Sequence, residues 1–361
     1  MRVEDPLIVG GGPAGSAAAI RLARTGHRPL LLERTRVSAD ALCGGFLSWR
    51  TLDALERLGL DRAALGGATV SRLRLFAGDV RAERMLPAPA MALSRLKLDR
   101  LMIEAAAIAG AKVERGVTVR GWEEGVLRID ARELTPSTLF LATGKHELRG
   151  LARPREAAGP DPAIGLRVRL GPHPALARLV ADAIELHLFD RGYAGLVMHE
   201  DGTANLCLAV QKSRLDAAGG PEGLLAELAD LPHLGDRMAQ RRQDAADAVA
   251  HIPYGWRARE TLPGIFRLGD QAGVIPSLAG EGMGIAIASG MRAADAWLSH
   301  GATGAAQYQA DMARALARPI GIAALVKDAA QSPTLAPWLV RLARLPHAAD
   351  LIARATRIRH D

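Results

Sequence analysis

The stretch Pro6-Leu-Ile-Val-Gly10-Gly-Gly-Pro-Ala-Gly15-Ser16 decides the fold of this chain. The apolar run that ends at Val9 predicts a buried strand, and Ser16–Arg24, rich in alanine, predicts a helix. A second apolar run, His27–Leu32, leads directly to Glu33. Strand, glycine-rich turn, helix, strand and carboxylate in this order are typical of a dinucleotide-binding βαβ unit.

Each glycine of the G-x-G-x-x-G pattern has its own expected task. Gly10 permits the tight turn, Gly12 lets the backbone approach a pyrophosphate, and Gly15 lets the helix pack closely on the strand. The helix N-terminus offers free N–H groups and a positive dipole to phosphates. Glu33 follows Gly10 by 23 residues, close to the spacing of ~20 at which a carboxylate binds ribose hydroxyls. The motif alone does not distinguish FAD from NAD.

Length and composition predict a soluble globular protein. The chain has 361 residues, of which 49% are hydrophobic and 24% are charged. Its two cysteines, Cys43 and Cys207, exclude a disulfide scaffold and a four-cysteine zinc site. No run of 18 apolar residues occurs, and the first six residues do not resemble a signal peptide. We therefore expect a cytoplasmic protein in a reducing compartment.

The net charge of +7 is compatible with nucleic acid, an anionic membrane surface or acidic substrates. The arginines are scattered, and aromatic residues make up 4% of the chain, too few for stacking on single strands. We therefore expect no nucleic-acid partner. The histidines are dispersed without a ligand spacing such as H-E-x-x-H, so we also expect no metal site.

Two later segments are expected to return to the same nucleotide. Leu139–Gly144 is an apolar run that ends in Thr-Gly, and Gly264–Leu268 is another, followed by Gly269 and Asp270. Asp270 at a strand end is placed to accept hydrogen bonds from a polyol. A glycine-rich loop and a helix over Ile285–Leu298 follow, and the dipole at the helix start favours an electron-rich group. The alternative for the first segment is an ordinary buried strand with a glycine turn.

Three motifs taken together resemble those of a known family. They are G-x-G-x-x-G with Glu33, Ala142-Thr143-Gly144 and Leu268-Gly269-Asp270. It comprises FAD-dependent monooxygenases of the aromatic-hydroxylase type (group A) and geranylgeranyl reductase-like enzymes. The resemblance extends from residue 5 to about residue 300. It implies FAD as the cofactor, with NADPH or NADH as the electron donor. In this family the aspartate of the third motif holds the ribityl chain, and the following helix points at the flavin.

The implied fold is α/β: a Rossmann-like FAD-binding domain of three layers (ββα), interleaved with an antiparallel-sheet substrate domain and followed by a C-terminal helical tail. The expected FAD-binding parts are 1–70, 93–162 and 259–304; the substrate-domain parts are 71–92 and 163–258; the C-terminal helices occupy 305–361. Apolar alternation predicts four strands, Ile164–Leu170, Ala183–Phe189, Ala194–His199 and Ala204–Val210. The segments 72–75 and 80–86 are expected to join this sheet, and helices are expected across Leu224–Asp247.

Two further segments match the family. Arg95-x-x-Leu98-Asp99-x-x-Met102 resembles its Arg-x-x-Leu-Asp-x-x-Leu at a helix start, where the arginine approaches FAD; the alternative is a surface charge. Cys43-Gly44-Gly45 resembles the loop beside the flavin ring in the reductases. The implied cofactor-binding residues are Gly10, Gly12, Pro13, Ala14, Gly15, Glu33, Arg34, Cys43, Gly44, Gly45, Arg95, Thr143, Gly144, Gly269, Asp270, Gly280, Gly282 and Met283.

The chain departs from the hydroxylases in one motif. They carry Asp-Gly-x-x-Ser-x-x-Arg where this chain has Thr143-Gly-Lys-His-Glu-Leu-Arg149. Only Gly144 is in register, and Arg149 comes one residue early. Because the family motif contributes to FAD and NAD(P)H handling, the departure puts efficient use of NAD(P)H in doubt.

The antiparallel sheet is expected to form one wall of a substrate cavity beside the flavin. Candidate lining residues are Phe46, Trp49, Tyr193, Met198, Tyr254, Trp256 and Pro276; the alternative for each aromatic residue is a core position. His146 and His199 are candidates for acid–base catalysis, with a surface or structural histidine as the alternative. In the tail, prolines such as Pro319 are expected to break the helices. The basic, amphipathic segment 338–345 either contacts a membrane surface or packs on the protein's own core.

Three functions are compatible with these patterns. The first hypothesis is a monooxygenase that uses molecular oxygen to hydroxylate a small hydrophobic substrate, aromatic or polyketide- or quinone-like. The second is a reductase of the geranylgeranyl reductase type that saturates lipid alkenes. The third is a flavoprotein maturation partner that acts on a polypeptide. The oligomeric state is not indicated by any of these features.

Overall fold

The computed structural model describes residues 2–3, 5–130, 132–241 and 246–358. Strands in this part of the chain are numbered in order: β1 (Arg2–Val3), β2 (Leu7–Val9), β3 (Leu30–Glu33), β4 (Phe46–Leu47), β5 (Ala68–Ala77), β6 (Val80–Ala92), β7 (Lys112–Arg115), β8 (Val119–Glu123), β9 (Val126–Ile129), β10 (Arg132–Pro136), β11 (Leu139–Leu141), β12 (Ala163–Leu170), β13 (Ala183–Phe189), β14 (Gly192–Met198), β15 (Ala204–Gln211), β16 (Asp247–Ile252) and β17 (Ile265–Arg267). The α-helices are α1 (Pro13–Ala23), α2 (Trp49–Arg57), α3 (Arg62–Leu65), α4 (Arg95–Ala109), α5 (Pro174–Val180), α6 (Lys212–Ala217), α7 (Pro221–Ala229), α8 (Leu234–Met238), α9 (Gly282–His300), α10 (Ala305–Ala330), α11 (Ala336–Leu342) and α12 (Ala348–Ala355).

A five-stranded parallel sheet, in the order β17-β11-β2-β3-β7, forms the centre of the cofactor-binding half. Its short strands are apolar on both faces because both faces are covered. Ile8 and Phe140 pack towards helices α1, α4 and α9. Leu7 and Leu139 point the other way, towards the four-stranded sheet β1-β10-β9-β8. The predicted ββα arrangement of three layers is confirmed.

The second large sheet has eight strands in the order β16-β12-β15-β14-β13-β5-β6-β4. Its strands pair antiparallel except for β13 and β5, which run parallel over Ala183–Leu188. The two strands are parallel because the chain between them crosses through the cofactor-binding half, and parallel neighbours need such a long crossover. Strand β4, which lies in the segment assigned to cofactor binding, extends this sheet by pairing with β6.

Two predictions about helices are wrong. Asp247 does not end a helix: it begins β16, which pairs with β12, and the described helices before it are α7 and α8. Pro319 does not break the tail, because it lies inside α10. The helix continues through the proline with Leu316, Ile320 and Ala323 buried against the core, and this packing outweighs the hydrogen bond that proline cannot donate.

None of the helices in the described part of the chain combines the length and the apolar character that crossing a bilayer requires.

Candidate active site

A cavity of about 570 Å³ lies between the parallel sheet and the eight-stranded sheet. Its first wall consists of the segments that follow the carboxyl ends of β2, β3, β11 and β17, where open α/β sheets bind their ligands. Its second wall is a face of β13, β14 and β15. Every residue that the sequence assigned to the cofactor lines this cavity except Gly15.

The glycines of the first turn divide into two kinds. A Cβ atom at Gly15 would lie 1.9 Å from the carbonyl oxygen of Gly10, and one at Gly10 would lie 2.4 Å from that of Ala142. These two glycines therefore allow backbone segments to pack together, which is why Gly15 is absent from the cavity wall. A Cβ at Gly12 would meet only Arg95 within 4 Å, so the missing side chain leaves room on the cavity side.

The N-terminus of α1 provides an anion site. Its N-cap, Gly12, has no capping side chain, so the first N–H groups are free for a ligand. The N–H of Gly11 donates to Oε2 of Glu33 at 2.8 Å, and the N–H and Oγ1 of Thr35 donate to Oε1 of Glu33 at 2.8 and 2.7 Å. These bonds hold the Glu33 carboxylate at the edge of the cavity, in the position expected for a ribose-binding group.

Arg95 contributes the positive charge that faces this turn. It begins α4 and forms a bidentate pair with Asp99, with distances of 2.7 Å (Nε–Oδ1) and 2.6 Å (Nη2–Oδ2). Burial opposes the charge on Arg95, but the neighbouring carboxylate outweighs burial and raises the pKa of the guanidinium. Because the fork is fixed by Asp99, Arg95 presents a constant cation to the turn at Gly12.

The segments that follow β11 and β17 are joined by three side chains that the sequence analysis missed. Nζ of Lys145 lies 3.2 Å from Oδ2 of Asp270, and the Asp270 charge raises the pKa of Lys145. Arg153 donates to the carbonyl oxygens of Asp270 and Lys145 at 2.9 and 3.0 Å, and Gln271 donates to the carbonyl of Gly144 at 2.9 Å. Lys145 lies in the segment where the chain departs from the hydroxylase motif, and this departure was the one feature of the sequence that could have pointed to it.

The Cys43-Gly44-Gly45 loop is fastened to the eight-stranded sheet. The carbonyl oxygen of Cys43 accepts hydrogen bonds from Nδ2 of Asn205 at 2.9 Å and from the thiol of Cys207 at 3.1 Å. Burial raises the pKa of Cys207 to about 12, so this thiol is neutral at physiological pH. Gly45 has a positive φ of 73°, and a Cβ there would lie 2.2 Å from His199. His199 can therefore pack against the loop only because residue 45 has no side chain.

The two histidine candidates have different surroundings. His146 lines the cavity, with Nε2 3.3 Å from Nη2 of Arg34, and burial lowers its pKa. His199 does not line the cavity; Nδ1 lies 3.0 Å from Nη1 of Arg169, and burial lowers its pKa to about 4. His199 is therefore neutral at neutral pH, so it lacks the acidic imidazolium proton, and it lies outside the cavity lining.

Phe46, Tyr193 and Tyr254 line the cavity, as predicted. Four other candidates do not: Trp49, Met198, Trp256 and Pro276. Met198 lies on the opposite face of β14 from Tyr193, because the two are five residues apart and side chains alternate along a strand. Trp49 begins α2 and contacts the guanidinium of Arg357, and Trp256 contacts Arg153 instead of the cavity.

A buried ion pair supports the loop 277–282 from behind. Glu281 is fully buried, and Oε2 lies 3.1 Å from Nη1 of Arg357 and 3.3 Å from Oγ of Ser48. The N–H of Ile358 donates to its Oε1 at 3.2 Å. Burial raises the pKa of Glu281 to about 7, although Arg357 and the two hydrogen bonds oppose this. The C-terminal segment thus holds the loop that carries Gly280, Gly282 and Met283.

A second cavity, of about 120 Å³, adjoins the first. It lies between the eight-stranded sheet and helices α10, α11 and α12, and its lining is apolar except for Thr356 and Arg357. The residues that line both cavities are Phe46, Ile184, Leu186, Leu278 and Gly280. Leu342 lines the second cavity and is also 47% exposed, so this apolar pocket reaches the protein surface.

Comparisons with known proteins agree with this geometry. Residues 4–148 match the FAD binding domain family. The chain is 28% identical over 323 residues to menaquinone reductase of Mycolicibacterium smegmatis, covering 83% of this chain and 77% of that one. It is 27% identical over 150 residues to 2,4-dichlorophenol 6-monooxygenase of Cupriavidus pinatubonensis, covering 36% and 25% of the two chains.

A solved structure has the same fold. It is a geranylgeranyl bacteriochlorophyll reductase-like protein from Thermoplasma acidophilum, with a TM-score of 0.75 and 22% identity over 95% of this chain and 92% of that one. The cavity suits an extended dinucleotide for two reasons. Helix α1 offers free N–H groups, and Gly12 leaves room beside them. The space beside Gly44 and Gly282 is also open, since an added Cβ at either would meet nothing within 4 Å. The match of residues 4–148 assigns an FAD binding domain to this enzyme, and the other comparisons show similarity to a menaquinone reductase and a monooxygenase and a shared fold with a geranylgeranyl reductase-like protein.

Proposed function

We propose that this enzyme reduces a carbon–carbon double bond in a lipid-like substrate with an apolar tail. The observation that carries the proposal is the apolar second cavity beside the cofactor cavity. A substrate whose double bond lies in the first cavity would extend its tail past Phe46 and Leu278 into the second. Burying a hydrocarbon tail there is favourable by ~25 cal/mol for each Å² removed from water.

The extent of the sequence similarity supports a reductase. The similarity to menaquinone reductase covers 83% of this chain, so it extends across the central strands β13, β14 and β15 of the second wall. The similarity to the dichlorophenol monooxygenase covers 150 residues and therefore less than half of the chain. Since substrate choice depends on the second wall, the longer match bears more directly on the substrate.

The surface around the second cavity supports a lipid source for the substrate. Trp338 and Leu351 are 66% and 69% exposed, and Leu342 and Leu345 lie between them in the chain. The guanidinium of Arg341 lies 4.9 Å from the centroid of the Trp338 ring. Exposed apolar side chains with nearby arginines are typical of helices that lie on an anionic membrane surface. We propose that α11 and α12 make such a peripheral contact.

The residues of the first wall would hold FAD in the following way. The N–H groups of α1 and the Arg95 guanidinium would bind the pyrophosphate, Glu33 the ribose, and Asp270 with Lys145 the ribityl hydroxyls. The Cys43-Gly44-Gly45 loop and the residues 280–283 would face the ring without side chains in the way. Bound FAD supplies two-electron redox chemistry, and the protein supplies position and electrostatics.

The electron donor is part of the proposal. The sequence resemblance implies NADPH or NADH, and the altered motif at 143–149 argues against efficient use of either. The structure has Lys145 and His146 in this motif pointing to the cavity, and Arg153 instead of Arg149 bonded to Asp270. We therefore propose that a separate reductase delivers the electrons if neither nucleotide reduces the bound flavin.

Monooxygenation of a hydrophobic aromatic or quinone-like substrate is the second candidate. It is supported by the similarity to the dichlorophenol monooxygenase, which covers 36% of this chain. The two functions differ in their need for oxygen, since a reductase turns over without oxygen whereas a monooxygenase consumes it in step with the product.

The test uses the FAD-loaded enzyme, reduced anaerobically with NADPH, NADH or dithionite. The probes are a menaquinone with four isoprene units and the same quinone with one unit. The reductase proposal predicts that the long probe reoxidises the flavin anaerobically and that, after air has reoxidised the quinone ring, the product retains two added hydrogen atoms in its isoprenoid chain. Reoxidation by oxygen alone, with an oxygenated product, would support the monooxygenase.

A pair of variants tests the role of the second cavity. Ala353 lines it, whereas Ala355, on the same helix, lines neither cavity. Ala353→Phe should lower kcat/KM for the long probe about tenfold or more and leave the short probe unaffected. Ala355→Phe is the matched control and should leave both unchanged. Equal effects of the two variants on the long probe would contradict the placement of the tail.

A further inference from the structure

Two of the three tyrosines of the chain form hydrogen bonds with the same serine hydroxyl, that of Ser277, beside the second wall. The hydroxyl of Tyr193 lies 2.6 Å from Oγ of Ser277, and the hydroxyl of Tyr254 donates to the same Oγ at 2.8 Å. The N–H of Leu278 donates to the Tyr193 oxygen at 3.0 Å. All three hydroxyl-bearing residues line the cofactor cavity. We call Tyr193, Ser277 and Tyr254 the hydroxyl cluster.

Three separate parts of the fold build this cluster. Tyr193 belongs to β14, Tyr254 follows β16, and Ser277 begins the turn before α9. The segment at Tyr254 is fixed by the N–H of Gly255, which donates to the carbonyl of Val274 at 2.9 Å. The backbone beside Tyr254 is therefore fixed by a contact that does not involve the hydroxyl groups.

Counting protons shows that one hydroxyl must point out of the cluster. The three hydroxyls carry three protons, and the cluster contains two oxygen–oxygen contacts, each of which uses one proton. The Leu278 N–H occupies a lone pair of Tyr193 and takes up no hydroxyl proton. Among the residues that the structure describes, no acceptor for the third proton is found. Hydroxyl hydrogens rotate about their C–O bonds, so when Tyr193 donates to Ser277 and Ser277 in turn donates to Tyr254, the third proton is that of Tyr254 and is free to meet a substrate in the cavity.

The surroundings keep this proton on the cluster at neutral pH. Burial raises the pKa of Tyr193 and of Tyr254 above the ordinary value of a phenol. Once a tyrosine has lost its proton, the Ser277 hydroxyl can turn to donate to the charged oxygen. Tyr254 is the half-buried member that opens to the cavity, whereas Tyr193 is only 2% exposed.

The apolar neighbours indicate what would meet the proton. Ile184, Leu186 and Leu278 line both cavities, and Leu278 is adjacent to Ser277 in the chain. A hydrocarbon that passes from one cavity to the other would therefore run beside the hydroxyl cluster. The described candidates for acid catalysis elsewhere are less well placed, because His146 lies with Arg34 among the residues of the first wall.

We propose that the hydroxyl cluster donates the proton that completes reduction of the double bond, with Tyr254 as the catalytic residue. This inference rests on the proposed reductase function. The O–H bond of Tyr254 would break and its proton would go to one alkene carbon, while FAD, bound in reduced form, would supply the hydride for the other carbon. The π bond is replaced by two C–H bonds, the flavin is oxidised by two electrons, and water returns a proton to Tyr254. Ser277 and Tyr193 are positioning residues.

The main experiment compares tyrosine variants of the FAD-loaded, anaerobically reduced enzyme, with the four-isoprene menaquinone as the probe. Tyr254→Phe should slow reoxidation of the flavin by ~100-fold or more, the usual contribution of a general acid, with little change in probe affinity. Tyr308→Phe is the matched control: Tyr308 is a buried phenol bonded to the carbonyls of Arg267 and Ser289, and it does not line the cavity. The probe should reoxidise the flavin of Tyr308→Phe at the wild-type rate.

Global replacement of the tyrosines by fluorotyrosines gives a readout that a structural role would not move. If the cluster donates the proton, the rate should rise as fluorine makes the phenols more acidic, and this dependence should vanish in Tyr254→Phe. The same labelled protein serves for fluorine NMR with oxidised flavin, where no turnover occurs. The probe should shift the resonances of Tyr193 and Tyr254 and leave that of Tyr308 in place.

The outcomes separate the two proposals. If the probe reoxidises the wild type but Tyr254→Phe reacts equally fast and fluorination has no effect, the proton-donor role is wrong and the reductase function stands. If neither the long nor the short probe reoxidises the wild type, the reductase function fails and the proton-donor role fails with it. Should Tyr254→Phe lose its FAD, Ser277→Ala decides: a smaller but clear loss of rate is expected, and no loss would overturn the proposal.

Discussion

The two walls of the cofactor cavity are built in different ways. On the first wall, contacts are made mainly by the backbone: Gly10 and Gly15 allow close approach of neighbouring chain segments, and α1 presents free N–H groups. On the second wall, contacts are made by side chains such as Tyr193, Tyr254 and Phe46, which come from distant parts of the chain. A backbone wall needs glycines at fixed spacings and is therefore visible in sequence. A side-chain wall depends on strand register and is not.

The largest effect should come from the backbone wall and separates its two kinds of glycine. Gly15→Ala places a Cβ 1.9 Å from a backbone oxygen, so α1 must move and the protein should not fold, or should lose ~3 kcal/mol or more. Gly12→Ala meets only a flexible arginine at 3.3 Å, so it should fold but bind FAD at least ~10-fold more weakly. Thermal unfolding and flavin fluorescence measure the two effects. Equal melting temperatures would contradict the distinction.

The next effect concerns the side chains behind the second wall. Arg357→Met leaves the buried Glu281 without its cation, which should lower the free energy of unfolding by ~3–5 kcal/mol at pH 8. The double variant Arg357→Met/Glu281→Gln should recover part of this loss, because it removes the uncompensated charge. Urea unfolding of the two variants checks the coupling, and purely additive losses would show that the pair does not interact.

Glu281 should also make stability depend on pH. Its folded-state pKa of about 7 lies above the ordinary value of 4.5 for a glutamate, so the folded protein binds more protons than the unfolded chain between these values. The stabilising contribution is complete below about pH 4.5 and is lost as the pH rises through 7, on the order of 3 kcal/mol in total. Glu281→Gln should lack this part of the slope. Identical slopes of unfolding free energy from pH 5 to 8 would contradict the prediction.

A smaller effect tests whether charged side chains of the first wall hold the cofactor. Asp270→Asn should weaken FAD binding by ~10-fold, since a hydrogen bond to a charged group contributes about 1.5–3 kcal/mol. Lys145→Met should weaken it less, because Lys145 acts through its contact with Asp270. Titration of the apoprotein with FAD measures both. Normal FAD binding in Asp270→Asn and in Gly12→Ala together would disprove the assignment of this site.

Substitutions of exposed residues outside the cavity should have the smallest effect on stability but a clear effect on binding to membranes. Trp338→Ser and Leu351→Ser change exposed side chains and should alter the free energy of unfolding by no more than ~0.5 kcal/mol. The double variant should float less with vesicles of anionic phospholipid. Ile108→Ser, an 88% exposed control on α4, should float like the wild type. If the wild type does not float, the proposed membrane contact is wrong.

Prediction from sequence succeeded where a function needs backbone at a defined place. All of the cofactor candidates except Gly15 line one cavity, although they come from at least five separate segments of the chain. Met198, Trp49, Trp256 and Pro276 lie outside the cavity lining, and the sequence could not show this because an apolar residue in a strand or loop is equally compatible with core and pocket. A shift of one residue along β14 moves a side chain from the cavity to the opposite face.

The amino-acid sequence by itself determined a dinucleotide-binding βαβ unit, since the glycine spacings, the apolar strands and Glu33 restrict the backbone locally, and the resemblance of its three motifs to a known family implied FAD and the three-layer fold. Only the tertiary structure decided the substrate side. The contacts of Tyr193, Ser277 and Tyr254, and the pairing of Glu281 with Arg357, join residues that are 23 to 84 positions apart in the chain. No local pattern encodes such contacts, because their geometry depends on how whole sheets and helices pack against each other.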